Sequence, residues 1–263
     1  MEAPLAESEH EPFKSTSFND LLEIEDGHFW FEERNKLIGW AIRKFFPAAK
    51  TFLEIGCGTA FVLRDVVRRF PEMRCSAIEY FDEGVEAARR RLPDVPIETG
   101  DARALDDKWA GTDLVGSFDV LEHIPEDEAV LREIHRVLKP GGGLIVTVPQ
   151  HPWLWSGADD FACHVRRYTR AELVRKVTEA GFNVTRVSSF MSFLVPLMLA
   201  SRVTAKLRGE AYYQSHLRQS EVSPPPTLNR LLAMAATMER MLIGIRVPLP
   251  VGSSLILTAS KPV

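Results

Sequence analysis

In residues 52–60, Phe52-Leu53-Glu54-Ile55-Gly56-Cys57-Gly58-Thr59-Ala60, a short apolar run meets two glycines one residue apart. The run Thr51–Gly56 predicts a strand, the glycines a tight turn, and Phe61–Phe70 a helix. Glycines at 56 and 58 let the backbone turn sharply and approach a ligand at van der Waals distance. Outward from this turn, strands and helices alternate. Strands are expected at 74–79, 97–100, 113–118 and 144–148, and helices at 82–92 and 126–138. Pro140-Gly141-Gly142-Gly143 is expected to end the second of these helices. Thr169-Arg170-Ala171-Glu172 has the spacing of a capping box and opens a helix that stops at Gly181. Strands at 183–189 and 254–260 complete the series. Such alternation predicts an α/β fold with a parallel sheet and right-handed crossovers.

The flanks read differently. Residues 1–20 are polar and lack a sustained period, so a mobile tail is expected there, followed by a single domain over 21–263. Within it, residues 28–46 predict a helix that lids the site, with apolar positions at 37, 38, 41, 42 and 45. Residues 190–250 form an insertion far longer than ordinary connections, with Pro224-Pro225-Pro226 and an apolar helix near 228–245. Its composition suits core packing, a homodimer interface or a peripheral membrane contact.

The 263 residues are 45% hydrophobic and 26% charged, with a net charge of -4, which excludes wholesale disorder and gives no general nucleic-acid footprint. No nucleic-acid partner is expected. The three cysteines, Cys57, Cys75 and Cys163, are too scattered for a disulfide framework, which favours a reducing, cytoplasmic setting. The glutamate-rich start argues against a secretory signal, and the longest apolar stretch, 190–200, is too short to span a bilayer.

Acidic residues close the successive strands. Glu79 lies twenty-one residues after Gly58, where a carboxylate accepts both hydroxyls of a ribose lacking a 2′-phosphate. Tyr80 follows it beside the same pocket, and Asp101, next to Ala102, is placed to accept from an adenine amino group. Glu54 projects into the corner where a dinucleotide would put its pyrophosphate. It would repel that group and attract a cationic aminoacyl end.

Five ordered segments, Glu54-x-Gly56-x-Gly58, Glu79, Gly100-Asp101-Ala102, Phe118-Asp119-Val120-Leu121-Glu122-His123-Ile124 and Leu138-Lys139-Pro140-Gly141-Gly142, resemble class I S-adenosylmethionine-dependent methyltransferases, notably the group that includes quinone-biosynthesis enzymes. The resemblance covers roughly residues 28–189. It implies a Rossmann-like seven-stranded sheet of order 3-2-1-4-5-7-6 with the last strand antiparallel and helices on both faces. It also implies S-adenosylmethionine as cofactor, with Gly56, Gly58 and Asp119 at its methionine end, Glu79 on the ribose, and Asp101 with Ala102 at the adenine. Ala60 departs from the third glycine found in many members.

Arg34, within the aromatic segment that includes Trp30, is expected to pair the cofactor carboxylate, with Trp30 over the sulfonium. On the acceptor side, Trp153, Trp155 and Tyr168 are expected to wall the pocket, and Arg166 and Arg167 to bind an anionic acceptor group. His151, His164 and His123 are the candidates for a general base. The spacing of His151, Asp159, Asp160, Cys163 and His164 matches no zinc signature, so no metal is expected. The expected reaction is methyl transfer to an acceptor oxygen, ahead of nitrogen or carbon, on a small metabolite, modified peptide or lipid-linked intermediate. A nucleotide-dependent oxidoreductase and a catalytically silent methyltransferase-like subunit are the rival readings.

Overall fold

The computed structural model describes residues 17–208, 224–247 and 249–263. Seven strands form its sheet: β1 (Thr51–Ile55), β2 (Arg74–Glu79), β3 (Ile97–Thr99), β4 (Thr112–Phe118), β5 (Leu138–Pro149), β6 (Asn183–Phe190) and β7 (Ser254–Ser260). Their order is β3-β2-β1-β4-β5-β7-β6, with β7 antiparallel to both neighbours. That is the order and the single reversed strand implied by the sequence motifs.

Alternating residues of each strand feed two separate cores. Phe52, Leu114, Ile145 and Ile256 point to one face of the sheet, and Leu53, Val115, Leu144 and Leu257 to the other. The first face is covered by α2 (Phe29–Phe45), α3 (Phe61–Arg69), α4 (Asp82–Arg91) and part of α9 (Pro226–Gly244). The second is covered by α5 (Asp127–Val137) and α7 (Arg170–Glu179). The short α6 (Gly157–Phe161) and the longer α8 (Leu194–Arg208) lie in the connections after β5 and β6.

Two boundaries differ from expectation. The tail read over 1–20 gives way at Ser17, where α1 (Ser17–Ile24) begins and Phe18 is buried; residues 1–16 lie outside the described residues. Proline and glycines at 140–143 belong to β5, which starts at Leu138 with a register shift against β4. Glycine is required at 143 because a Cβ would sit 2.4 Å from the Phe46 ring.

Helix α9 is tied to the start of α2. Asn229 on α9 accepts from the Phe29 N–H that opens α2 (2.9 Å) and donates to the Gly27 carbonyl (2.8 Å). Buried Glu239 accepts from the backbone N–H groups of Met191 and Ser192, and Ala236 and Ile243 join the core. Leu231, Met234, Met238, Met241 and Ile245 form an exposed row on α9. Among the described residues, no helix is long and apolar enough to cross a membrane.

A buried ionic knot fastens the end of α1 to α4 and to the turn before α3. Arg91, at the end of α4, donates to Glu25 (2.7 Å) and to the hydroxyl and carbonyl of Thr59 (2.7 and 3.0 Å), while Thr59 also bonds Glu25. Arg91→Ala strands a buried carboxylate, so unfolding in guanidinium chloride should show a loss of about 3–5 kcal/mol. Limited proteolysis should then cut at 17–24, which the intact knot protects.

Candidate active site

The glycine turn is held by β2. Gly56 and Cys57 donate to the Ile78 carbonyl (2.8 and 3.2 Å), and the Gly58 N–H donates to Glu79 (2.8 Å). Gly56 and Gly58 have φ of +65° and +53°, and a Cβ on Gly56 would lie 2.7 Å from Val120. Ala60 takes φ +59° as well, a left-handed conformation at the start of α3 that a side chain tolerates at a cost of about 1–2 kcal/mol.

Above this turn lies a cavity of about 940 Å3. Glu79 stands at its edge, accepting also from the Tyr80 and Phe81 N–H groups (2.9 and 3.2 Å). Burial raises the Glu79 pKa against the pull of these donors. Tyr80, Asp101 and Ala102 line the same wall. Arg103 grips both oxygens of Asp101, and although burial pushes upward, these bonds hold that carboxyl below its ordinary range.

At the other end, Arg34 is buried with its guanidinium 4.6 Å from the Trp30 ring centroid, and it donates to Asp119 (2.7 Å). Asp119 is fixed at φ +56° and accepts from the Thr147 hydroxyl (3.1 Å). Glu54 lies in the same wall, and burial pushes it up to about 8 despite the field of Arg34. Two polar atoms here, Arg34 Nε and Glu54 Oε2, are buried without a hydrogen-bond partner. A bound amino acid supplies the complement of both, a carboxylate for the arginine and an ammonium for the glutamate. The aminoacyl end of S-adenosylmethionine therefore fits these residues.

The third wall carries imidazoles. His164 Nδ1 lies 2.8 Å from Asp159, which Arg167 also bonds (2.6 Å). His164 Nε2 is 4.0 Å from Glu122, a fully buried carboxyl with both oxygens unpartnered. Burial, then the charge of Asp119, pushes the Glu122 pKa well above the carboxylate range. His123 stacks edge-on to His164 at 4.8 Å, and burial with the charge of His164 lowers its pKa to about 3. One ligand atom from each of Glu122, His123 and His164 falls within 4.8 Å of the others, a grouping the spacing argument over 151–164 did not contain.

Several of the residues singled out in the sequence lie away from this cavity. His151 does not line this cavity but a second one of about 550 Å3. Its ring lies beside that of Trp153, which is 53% exposed and also outside the main cavity. Tyr168 is wholly buried and donates to Asp127 (2.6 Å), to which Arg166 and Lys176 are also paired, so both residues fasten α5 to α7 and the preceding loop. Arg167 acts on Asp159 rather than facing the cavity. Trp155 does line it, with its Nε1 donating to Asp160 (2.9 Å).

Sequence reasoning missed Phe18 and Leu21, which line the cavity from α1. The signal was present, since Phe18, Leu21, Leu22 and Glu25 follow helical spacing. It also missed Asp159 as the partner of His164, which no local pattern announces.

Residues 52–142 match the model of a methyltransferase domain. A probable S-adenosylmethionine-dependent methyltransferase of Mycolicibacterium smegmatis is 32% identical over 142 residues, covering 52% of this chain and 53% of that protein. Trans-aconitate 2-methyltransferase of Azoarcus sp. is 31% identical over 106 residues, covering 39% and 40%. The chain spans about half the length of the curated relatives it matches. Among solved structures, a Haemonchus contortus phosphoethanolamine N-methyltransferase in complex with S-adenosylhomocysteine superposes with TM-score 0.60 at 16% identity, covering 95% of this chain and 58% of that one. The [4+2]-cyclase SpnF gives 0.55 at 22%, covering 89% and 83%. Residues 52–142 are thus a methyltransferase domain, and the motifs, the strand order and the aminoacyl pocket are similar to those of class I S-adenosylmethionine-dependent methyltransferases. S-adenosylmethionine is the cofactor.

Gly56→Ala should weaken S-adenosylhomocysteine binding at least tenfold in calorimetry, because the new Cβ strikes Val120 and φ is positive. Val120→Ala should recover only part of that loss. Glu54 makes a pH signature. Its raised pKa favours the fold at pH below the ordinary 4.5, and that contribution is lost as pH rises towards about 8. The ligand's ammonium favours the ionised form, so binding near neutral pH should release protons. Enthalpies in buffers of different ionisation heat should show that release, and Glu54→Gln should abolish it.

Proposed function

We propose that this chain transfers the methyl group of S-adenosylmethionine to a hydroxyl oxygen of a small or lipid-linked acceptor, with His164 taking the hydroxyl proton. The observation that carries this reading is the shared cavity. The cofactor cradle and His164 line the same space, and buried Asp159 holds the imidazole through Nδ1.

The chemistry follows from that placement. Held by Arg34, Glu54 and Glu79, S-adenosylmethionine would supply a methyl group that the acceptor oxygen takes as the sulfur–carbon bond breaks and its electron pair returns to sulfur. The hydroxyl proton passes to Nε2 of His164. Asp159, itself held by Arg167, keeps Nδ1 protonated and the accepting nitrogen free, the role an orienting carboxylate plays beside any catalytic imidazole. His123 is unsuited to that task, because a group that titrates at about 3 is a weak proton acceptor near neutrality. The cofactor enters activated, so alignment against Trp155, Phe118 and Val165 supplies much of the remaining rate.

The relatives sharpen the alternative. The name trans-aconitate 2-methyltransferase describes transfer to an acid, and a carboxylate nucleophile needs no base. Calorimetry with S-adenosylhomocysteine and with NADH comes first, and binding of NADH alone would defeat the methyl-transfer reading. Labelled S-adenosylmethionine offered to hydroxylated and carboxylated acceptors comes next. With a hydroxyl acceptor, His164→Asn and Asp159→Asn should lower kcat by roughly 10²–10⁴ while leaving S-adenosylhomocysteine affinity unchanged. Unchanged turnover at saturating acceptor would sink the assignment of His164.

A further inference from the structure

The second cavity, of about 550 Å3, lies beyond the C-terminal end of β5 and is lined by Gln150, His151, Thr169, Arg170, Arg186 and Arg246 among others. Among the described residues, no carboxylate lines it and none pairs with its three arginines. In a chain of net charge -4, three guanidiniums sharing one uncompensated concavity is an unusual arrangement.

Structural duty accounts for one of them. Arg170 donates to the carbonyls of Val187 (2.9 Å) and Leu249 (2.9 Å) and to the Ser189 hydroxyl (3.3 Å), so it ties α7 to β6 and to the segment before β7. The other two are not so explained. Arg186 donates through Nη2 to the Ile243 carbonyl (2.9 Å), but its Nε is buried with no acceptor. His151 Nε2 is likewise buried without a partner. Arg246 is exposed and is held at φ +67° immediately after α9, and His151 also has positive φ. Burial and then the neighbouring charges of Arg246 and Arg170 lower the Arg186 pKa, the direction expected where like charges crowd without a counter-ion.

We propose that this cavity is a phosphate-binding site, in which Arg170, Arg186, Arg246 and His151 hold a phosphoryl group outside the methyl-transfer cavity. A phosphate supplies acceptor oxygens for the orphaned Arg186 and His151 nitrogens and charge for the three guanidiniums. The fan of guanidinium donors suits its tetrahedral oxygens better than it suits a halide. Two sources present that chemistry, a water-soluble phosphorylated compound and a phospholipid headgroup. The second is included because the exposed apolar row of α9 ends at Ile245, one residue before Arg246.

The test uses the full chain. Calorimetric titration with inorganic phosphate and pyrophosphate, at fixed ionic strength in chloride, should show saturable binding. Arg186→Gln and Arg246→Gln should each weaken it about tenfold or more. Arg186 also bonds the end of α9, so Arg246→Gln is the cleaner variant. It should leave S-adenosylhomocysteine affinity and thermal stability unchanged, which separates this site from the methyl-transfer reading. Absence of saturable binding, or equal binding by wild type and Arg246→Gln, overturns the proposal. Once phosphate binds, cosedimentation with phosphatidylcholine vesicles containing phosphatidic acid identifies the source. Sedimentation of wild type but not Arg246→Gln assigns a lipid phosphate, and sedimentation of neither assigns a soluble one.

Discussion

The site depends on a turn that the sheet itself clamps. Three N–H groups of Gly56, Cys57 and Gly58 are satisfied by the last two residues of β2, through the Ile78 carbonyl and the Glu79 carboxylate. Without those acceptors, a left-handed turn would leave donors unpaired in a buried corner, at about 1–3 kcal/mol each. Because β2 supplies them, the turn is set when β1 and β2 pair. Its shape then fixes where α3 begins, how near Val120 comes and which wall Glu79 occupies. Fold and site are settled by the same bonds.

A second economy lies in how the cavity wall and the layer behind it, where Glu122 sits, keep carboxyl groups dry. Glu54, Glu79 and Glu122 are all buried, and burial raises the pKa of each. Their partners differ. Glu79 has three backbone donors, Glu54 has the field of Arg34, and Glu122 has no hydrogen bond at all. Donors or a nearby cation work against the effect of burial, and Glu122 has the least to oppose it.

Most of the architecture was legible in the sequence because it is written in local patterns. Apolar runs separated by helical stretches, the glycine pair and the acids closing β2 and β3 all act within one strand–turn–helix unit. The strand order and the reversal of β7 were implied by the motif resemblance and not by any local pattern. What failed was non-local. Tyr168 and Arg166 look like pocket residues in sequence, yet Asp127, some forty positions away, claims them both. His151 sits at the end of the right strand but turns into the other cavity through a positive φ that a histidine residue does not advertise. Asp159, on the short helix α6, reaches His164 five positions on while Arg167 bonds the same carboxylate. The fold alone carries still less about chemistry, since it superposes on a cyclase as well as on methyltransferases.

The three cysteines, all free, occupy unlike environments. Burial raises the Cys57 thiol well above its ordinary range and Cys75 up to about 12, and only a thiolate attacks an alkylating reagent. Cys163 is partly exposed on the wall of the main cavity, next to His164. The chain therefore carries its own spectroscopic handle. A fluorophore attached there, without any engineered cysteine, would sit beside His164 and register whatever enters the main cavity.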